Sequence, residues 1–435
     1  VTVAIVTLDR LAPAARAALG NRGDGLLADA TAAVAPVLER IRRDGDAAIV
    51  AFLRDVDGVD VPADRFLVPP AVIDAAIAAL PVRLRAALDR TIANVERYHR
   101  AQLVEDFELE VEPGVVVGER FPAVRAAGLY VPFGTAIYPS SALMITVPAR
   151  VAGVERIVLA SGVDPATGEI PGVVLAAAAL GGATEIWRLS GTAAVAAFAY
   201  GTQTLRPVDV IAGPGGPYVA AAKALVRGRV GVDLDAGPSE VLVLALDDAD
   251  PDLAAADLIG EAEHGVSSCG LVVTADATLA GRVAERLVVR LALLPAARRQ
   301  GIEQQGAEGR SAIVVAPSRA AAIAFAEEVA AEHVVVHAAD PDAVARELRC
   351  AGTVCIGAYT PSPVGSYVAG TNHVLPTGGA ARHSAGLSVT HFVRRQSFER
   401  ITRDGLAALR DTVAVYAEFE GLPGHLAAVD ARFGR

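Results

Sequence analysis

Cysteine is scarce in this chain of 435 residues: Cys269, Cys350 and Cys355 are all it has, and no two form a CxxC pair. An odd, sparse set excludes a disulfide framework and fits a reducing, cytoplasmic setting. Positive charge is also in deficit. Lys and Arg total 39 against 50 Asp and Glu, a net charge of −11. No basic run offers the cationic face that a phosphate backbone requires, so nucleic acid is not an expected partner. Every uncharged stretch is broken by Gly, Pro or polar residues, which leaves no expected membrane-spanning helix. The opening residues Val1 to Arg16 include Asp9, Arg10 and Arg16 and lack a signal-peptide layout. Disorder is excluded in turn: 53% hydrophobic and 20% charged residues describe a folded protein. At roughly 150 residues per domain, two to three units are expected.

What is present falls into two rhythms. From Gly25 to about Leu103 apolar residues recur at helical spacing, as in Leu27-Ala30-Val34-Val37-Leu38-Ile41, Val72-Ile73-Ile77-Leu80 and Leu88-Ile92-Val95. From Val115 and Leu129 onward, short apolar runs alternate with Ala-rich helical stretches. Strands are expected at Arg156 to Ala160, Glu185 to Leu189, Val208 to Ile211, Val241 to Leu246, Leu271 to Thr274, Ala312 to Val315 and Val334 to His337. Helices are expected between several of them, including Val219 to Val226, Asp252 to Glu263 and Arg319 to Ala331. Such alternation implies an α/β fold with mainly parallel sheets covered on both faces. Between Arg349 and Arg382 no Asp, Glu, Lys or Arg occurs, while Gly, Pro, Ser and Thr abound. That composition suits a buried or ligand-lining loop.

Several short motifs could carry chemistry. Glu261 and His264 lie three apart at the end of an expected helix, so they share a face and can point at one ion. The same spacing also serves surface or capping contacts. Glu332-His333 is expected to close a helix just before a strand; an adjacent acid and base can divide proton abstraction and water activation between them, or simply end a helix where His suits the dipole. Gly213-Pro214-Gly215-Gly216 follows a strand and precedes a helix, which exposes backbone N–H groups to an anion, although a plain tight turn has the same look and GxGxxG is absent. Ser239, in Ala236-Gly237-Pro238-Ser239-Glu240, stands before a strand with no adjacent base.

Taken in order, these motifs resemble the histidinol dehydrogenase family over essentially the whole chain. The matching strings are GLYVP (Gly128 to Pro132), VPARVAGV (Val147 to Val154), AGPSEVLV (Ala236 to Val243), EAEHG (Glu261 to Gly265), AEHV (Ala331 to Val334), AGTNHVLPT (Ala369 to Thr377) and SAGLSV (Ser384 to Val389). The resemblance implies two incomplete Rossmann-like domains, an N-terminal helical segment and a small domain-swapped C-terminal segment. Expected boundaries are 1–24 for the N-terminal segment, 25–128 with 239–387 for the first Rossmann-like domain, 129–238 for the second and 388–435 for the C-terminal segment. It also implies a homodimer with shared active sites, and a zinc-dependent, NAD-linked oxidation of a small amino alcohol through an aldehyde. On that resemblance Glu332 activates water and His333 relays protons as the general base. Ser239, His373 and Glu420 match substrate contacts, and Tyr130 and Gly216 match cofactor positions. His264 and His425 match zinc ligands, His425 arriving from the other subunit.

The chain departs from the family at the site itself. Glu261 stands where the family has a zinc-binding Gln, and Ser366 where it has a zinc-binding Asp; Ser362 replaces an acidic residue. A carboxylate leaving Ser366 and arriving at Glu261 keeps the charge around the metal constant, so Glu261, His264 and His425 form a two-His, one-Glu zinc set. The cofactor positions that usually hold a Gln and an Asn are Ala193 and Gly216. Two alternatives follow: a metal-assisted hydro-lyase, hydrolase or other redox enzyme with weak or no NAD use, and a catalytically silent dimer that binds a small ligand.

Overall fold

The structure is a computed structural model that describes residues 3–11, 16, 19, 24–134, 136–234 and 237–434. The chain divides into two compact units, one of Val1–Gln102 with Arg125–Phe392, the other of Leu103–Val124 with Val393–Arg435.

The larger unit holds two parallel sheets. One has six strands in the order Ala4–Thr7, Ala312–Val315, Cys269–Thr274, Glu240–Ala245, His333–His337 and Thr353–Ile356, with every pairing parallel. The other has five, in the order Glu185–Arg188, Arg156–Ser161, Ala126–Val131, Val210–Ala212 and Gly231–Val232, again all parallel. The expected strands are present with ends moved by at most two residues, and the fold is mixed α/β as the alternation implied. Parallel sheets must be covered on both faces, and the strand 240–245 shows how. Val241, Val243 and Ala245 join the helices Pro251–Ala262 and Ala277–Leu291 in one apolar cluster. Leu242, Leu244 and Leu246 join helix Arg319–Val329 in another. Period-two alternation sends successive side chains to opposite faces, so an unbroken apolar run feeds two cores.

In the five-stranded sheet, an added Cβ at Gly128 would lie 2.6 Å from the Phe198 ring, so glycine is what lets helix Gly191–Tyr200 close onto strand Ala126–Val131. Helix Asp24–Asp44 packs on helices Gly191–Tyr200 and Pro217–Val226 of this half. Helix Val82–Arg100 runs beside helix Pro139–Val151 and the turn Gly365–Ala369. It pins that turn by bonds from Thr91 Oγ1 to the Tyr367 carbonyl (2.9 Å) and from Asn94 Nδ2 to the Val368 carbonyl (2.8 Å).

The smaller unit is a three-stranded antiparallel sheet, Gln396–Ile401, Val115–Arg120 and Phe107–Glu112, with helices Arg403–Phe419 and Pro423–Asp430. Residues 103–124 thus join 393–435 by strand pairing, a union that the expected boundaries at 128 and 388 did not contain. In this unit Leu109, Val111, Val415, Tyr416 and Phe419 are exposed.

Candidate active site

One cavity of about 790 Å³ in the larger unit gathers most of the singled-out residues. Ser239, Glu261, His264, Glu332, His333, His373 and Ser366 all line it, together with Pro214 to Pro217. Its two walls come from opposite edges of the two sheets. Ser239 and Glu332 immediately precede strands Glu240–Ala245 and His333–His337, so the six-stranded sheet contributes its amino edge. Pro132 and Phe133 follow strand Ala126–Val131 and the loop 213–216 follows strand Val210–Ala212, so the five-stranded sheet contributes its carboxyl edge, the edge at which open α/β sheets take ligands.

Glu332 and His333 are placed differently from expectation. The helix ends at Val329, Ala330 takes a left-handed cap (φ 49), and His333 opens the strand instead of closing the helix. The β-branched run Val334-Val335-Val336 draws the chain into the sheet directly after the cap. Glu332 is buried, and the N–H of Glu240 donates to its Oε2 at 2.9 Å. His333 is buried with Nδ1 3.7 Å from the same oxygen, and that nitrogen has no hydrogen-bond partner among the described residues. Burial, the facing charge of Glu261 and that of Glu240 push the Glu332 carboxyl well above the usual range, against the pull of the Glu240 N–H. Burial holds the His333 imidazole below its ordinary value, with Glu261 opposing. At neutral pH His333 is therefore a neutral base beside a carboxyl that holds its proton more tightly than usual.

Glu261 lies in the last turn of helix Pro251–Ala262, and His264 sits just past the Glu263 cap. Glu261 is buried, His264 is exposed, and Oε2 and Nε2 are 3.6 Å apart. Arg298, the only arginine among the described residues that line the cavity, donates to the Glu263 carbonyl at 2.8 Å.

The two segments AGPSE and AGTNHVLPT fold as one wall. Gly237 N–H donates to Thr377 Oγ1 (2.5 Å) and Gly378 N–H to Glu240 Oε1 (2.9 Å). Asn372 donates to the Met144 carbonyl (2.6 Å) and accepts from Val374 N–H (2.9 Å), which fixes the turn that presents His373. His373 Nδ1 must donate to the Ser366 carbonyl (2.8 Å), so Nε2 is the acceptor for the Ser141 hydroxyl (3.0 Å). Ser141 is a site residue that the sequence did not mark, because a serine in the first turn of an apolar helix has the look of a cap.

Burial lowers the His373 pKa to about 4. The unfolded ring takes its proton near 6.5. Stability is therefore full above that pH and falls as pH drops from 6.5 toward 4, by at most about 3 kcal/mol. Thermal midpoints of chelator-treated protein across this window should fall, and His373→Gln should flatten the slope; an unchanged slope in the variant would refute the assignment.

Of the remaining expected residues, Gly216 borders the cavity and the others lie outside its lining. Tyr130 is buried in strand Ala126–Val131, its hydroxyl next to the Gly191 backbone, and burial pushes its pKa up to about 12. Ala193 is fully buried. Gly216 borders the cavity with open space where a Cβ would go. Glu420 caps helix Arg403–Phe419 and His425 lies in helix Pro423–Asp430; both are exposed residues of the smaller unit.

Acid, base and hydroxyl side chains on one sheet, opposite the ligand-taking edge of a parallel sheet, define an α/β enzyme. A family model described as histidinol dehydrogenase matches residues 21–433. The chain is similar to histidinol dehydrogenase of Halobacterium salinarum, 42% identical over 424 residues and 97% of each protein. It is 44% identical to that of Bradyrhizobium diazoefficiens over 405 residues and 93% of each. The crystal structure of histidinol dehydrogenase from Elizabethkingia anophelis matches with a TM-score of 0.90 at 30% identity, covering 99% of this chain and 98% of that one. The chain belongs to the histidinol dehydrogenase family and is a dehydrogenase.

Proposed function

We propose that the protein oxidises a small amino alcohol of the histidinol class through an aldehyde, with NAD as hydride acceptor and zinc at Glu261, His264 and His425. The observation that carries this reading is the buried pair of His333, an imidazole held below its ordinary pKa, and Glu332, a carboxyl held above its own, on the cavity wall. His333 takes the proton of the substrate hydroxyl at an imidazole nitrogen. Glu332, anchored by the Glu240 N–H, orients the water that the second oxidation consumes. Ser239 and His373, the latter held by Ser141 and the Ser366 carbonyl, orient the substrate along the shared wall.

The donor set suits a divalent cation. Glu261 and Glu332 are both buried, and the Glu261 charge pushes the Glu332 carboxyl up; a dication between Glu261 and the incoming imidazoles offsets that charge. Among the described residues no three His, Cys, Asp or Glu side chains are already grouped for a metal, in keeping with a ligand supplied by a second copy. When bound, zinc polarises oxygen and the nicotinamide accepts hydride. We assign Glu420 and His425 to the partner's cavity in a homodimer. The exposed Tyr416 and Phe419 on the same helix are apolar surface that such a partner would cover. Free cysteines, and described helices none of which is long and apolar enough to cross a membrane, accord with a cytoplasmic setting.

NAD reduction with L-histidinol and other amino alcohols, alongside metal analysis, tests the reading. Coupled turnover with near-stoichiometric zinc is expected, and absence of both would refute it. Gly216→Asn should tighten NAD. Its backbone is ordinary (φ −68) and a Cβ meets nothing within 4 Å, so one restored amide hydrogen bond should strengthen binding about three- to tenfold without thermal cost. Ala193→Gln should instead destabilise, because that position is fully packed. Turnover without NAD would favour the metal-assisted alternative.

A further inference from the structure

Lys223 is the only lysine in the chain; every other one of the 39 basic residues is arginine. It is 2% exposed, inside helix Pro217–Val226. Its Nζ lies 2.5 Å from Asp233 Oδ1 and donates to the Gly213 carbonyl at 3.0 Å. The other Asp233 oxygen accepts the Gly213 N–H at 2.8 Å. Both polar backbone groups of one residue are thus held by the two ends of one buried ion pair.

Gly213 itself is over-determined. Its φ is 125, and an added Cβ would lie 2.3 Å from the Tyr130 carbonyl oxygen, so only glycine fits. The next residues, Pro214 to Pro217, line the cavity and open the helix. Asp233 directly follows the edge strand Gly231–Val232, where the chain leaves this sheet for Glu240. A buried ion pair seldom adds stability over well-packed apolar side chains, so what this one supplies is geometry. A compact ammonium can bind a carboxylate and a carbonyl together in a sealed space, whereas a planar guanidinium demands more room and a different fork.

We infer that the Lys223–Asp233 pair clamps the Gly213–Gly216 loop in the shape that receives the dinucleotide, which makes Lys223 a positioning residue for cofactor binding. The inference rests on the NAD reading above. Two measurements separate the clamp from its purpose: amide exchange of residues 212–217 without cofactor, and titration with NAD. Combining Lys223→Met with Asp233→Leu removes both charges and leaves neither bare; it frees the Gly213 N–H and carbonyl, a local cost confined to this loop, so exchange outside residues 212–217 should stay parental. The double variant should exchange about tenfold faster in this segment and bind NAD about tenfold more weakly. Its KM for NAD should rise by a larger factor than kcat falls. Lys223→Arg, which keeps the charge alone, should not restore parental values. Parental exchange and parental affinity in the double variant would overturn the clamp. A parent chain that binds no NAD would overturn the cofactor reading instead, and the exchange result would then uphold or overturn the clamp by itself.

Discussion

His333→Ala should lower kcat by about a hundred- to ten-thousandfold, the range that general-base catalysis supplies, while zinc content and the thermal transition change little. The imidazole opens a strand whose sheet bonds are made by backbone, with His333 in register with Val241 and Thr353. Removing it therefore leaves the ladder intact, and its Nδ1 surrenders no hydrogen bond. The nearest acid cannot take over. Glu332 is tied to the Glu240 N–H and retains its proton to higher pH than an ordinary carboxyl. Glu332→Gln separates the two half-reactions: the amide still accepts from the Glu240 N–H but replaces the carboxyl that orients the water of the second oxidation. Aldehyde should then accumulate and be trapped by a carbonyl reagent. Unimpaired acid formation in Glu332→Gln, or near-parental turnover in His333→Ala, would remove the assigned acid–base roles.

The parts of the fold that were legible are those where burial writes a simple pattern. Strands such as Glu240–Ala245 and Cys269–Thr274 are buried throughout and read as unbroken apolar runs. Helix Pro139–Val151 left no such trace. Nine of its thirteen residues, from Ser141 to Ala149, are buried, and it contains Pro148, so it has no polar face and no amphipathic period. The strand Phe107–Glu112 is exposed at every position, and its union with residues 393–435 depends on pairing through Val115–Arg120 between segments far apart in sequence. In the site, the motifs marked where chemistry would sit, and resemblance assigned the roles. Geometry supplied what spacing cannot: AGPSE and AGTNHVLPT share one hydrogen-bonded wall, and His373 has both nitrogens engaged, one by a serine that no motif contained.

Glu261→Gln should cost the protein its zinc, and adding Ser366→Asp should return it. The argument is electrostatic. Glu261 is a buried carboxylate 3.6 Å from His264, whereas the family places a Gln there and an Asp at the position of Ser366. Ser366 lines the same cavity. Its turn is pinned by Thr91 and Asn94 through the neighbouring Tyr367 and Val368 carbonyls, and its own carbonyl holds His373. A carboxylate introduced there would start from a fixed backbone. Loss of an outer partner of a metal ligand already weakens binding about ten- to a hundredfold, so loss of the only carboxylate ligand should exceed tenfold, read as metal per chain after dialysis. The metal-free protein offers an independent check. Because Glu261 raises the Glu332 pKa and also raises that of His333, Glu261→Gln should lower both, measurable as titration shifts with no metal present. If the double variant stays metal-free while the parent binds zinc, the carboxylate did not move from one wall to the other, and Glu261 holds the ion by a geometry that Asp at 366 cannot reproduce.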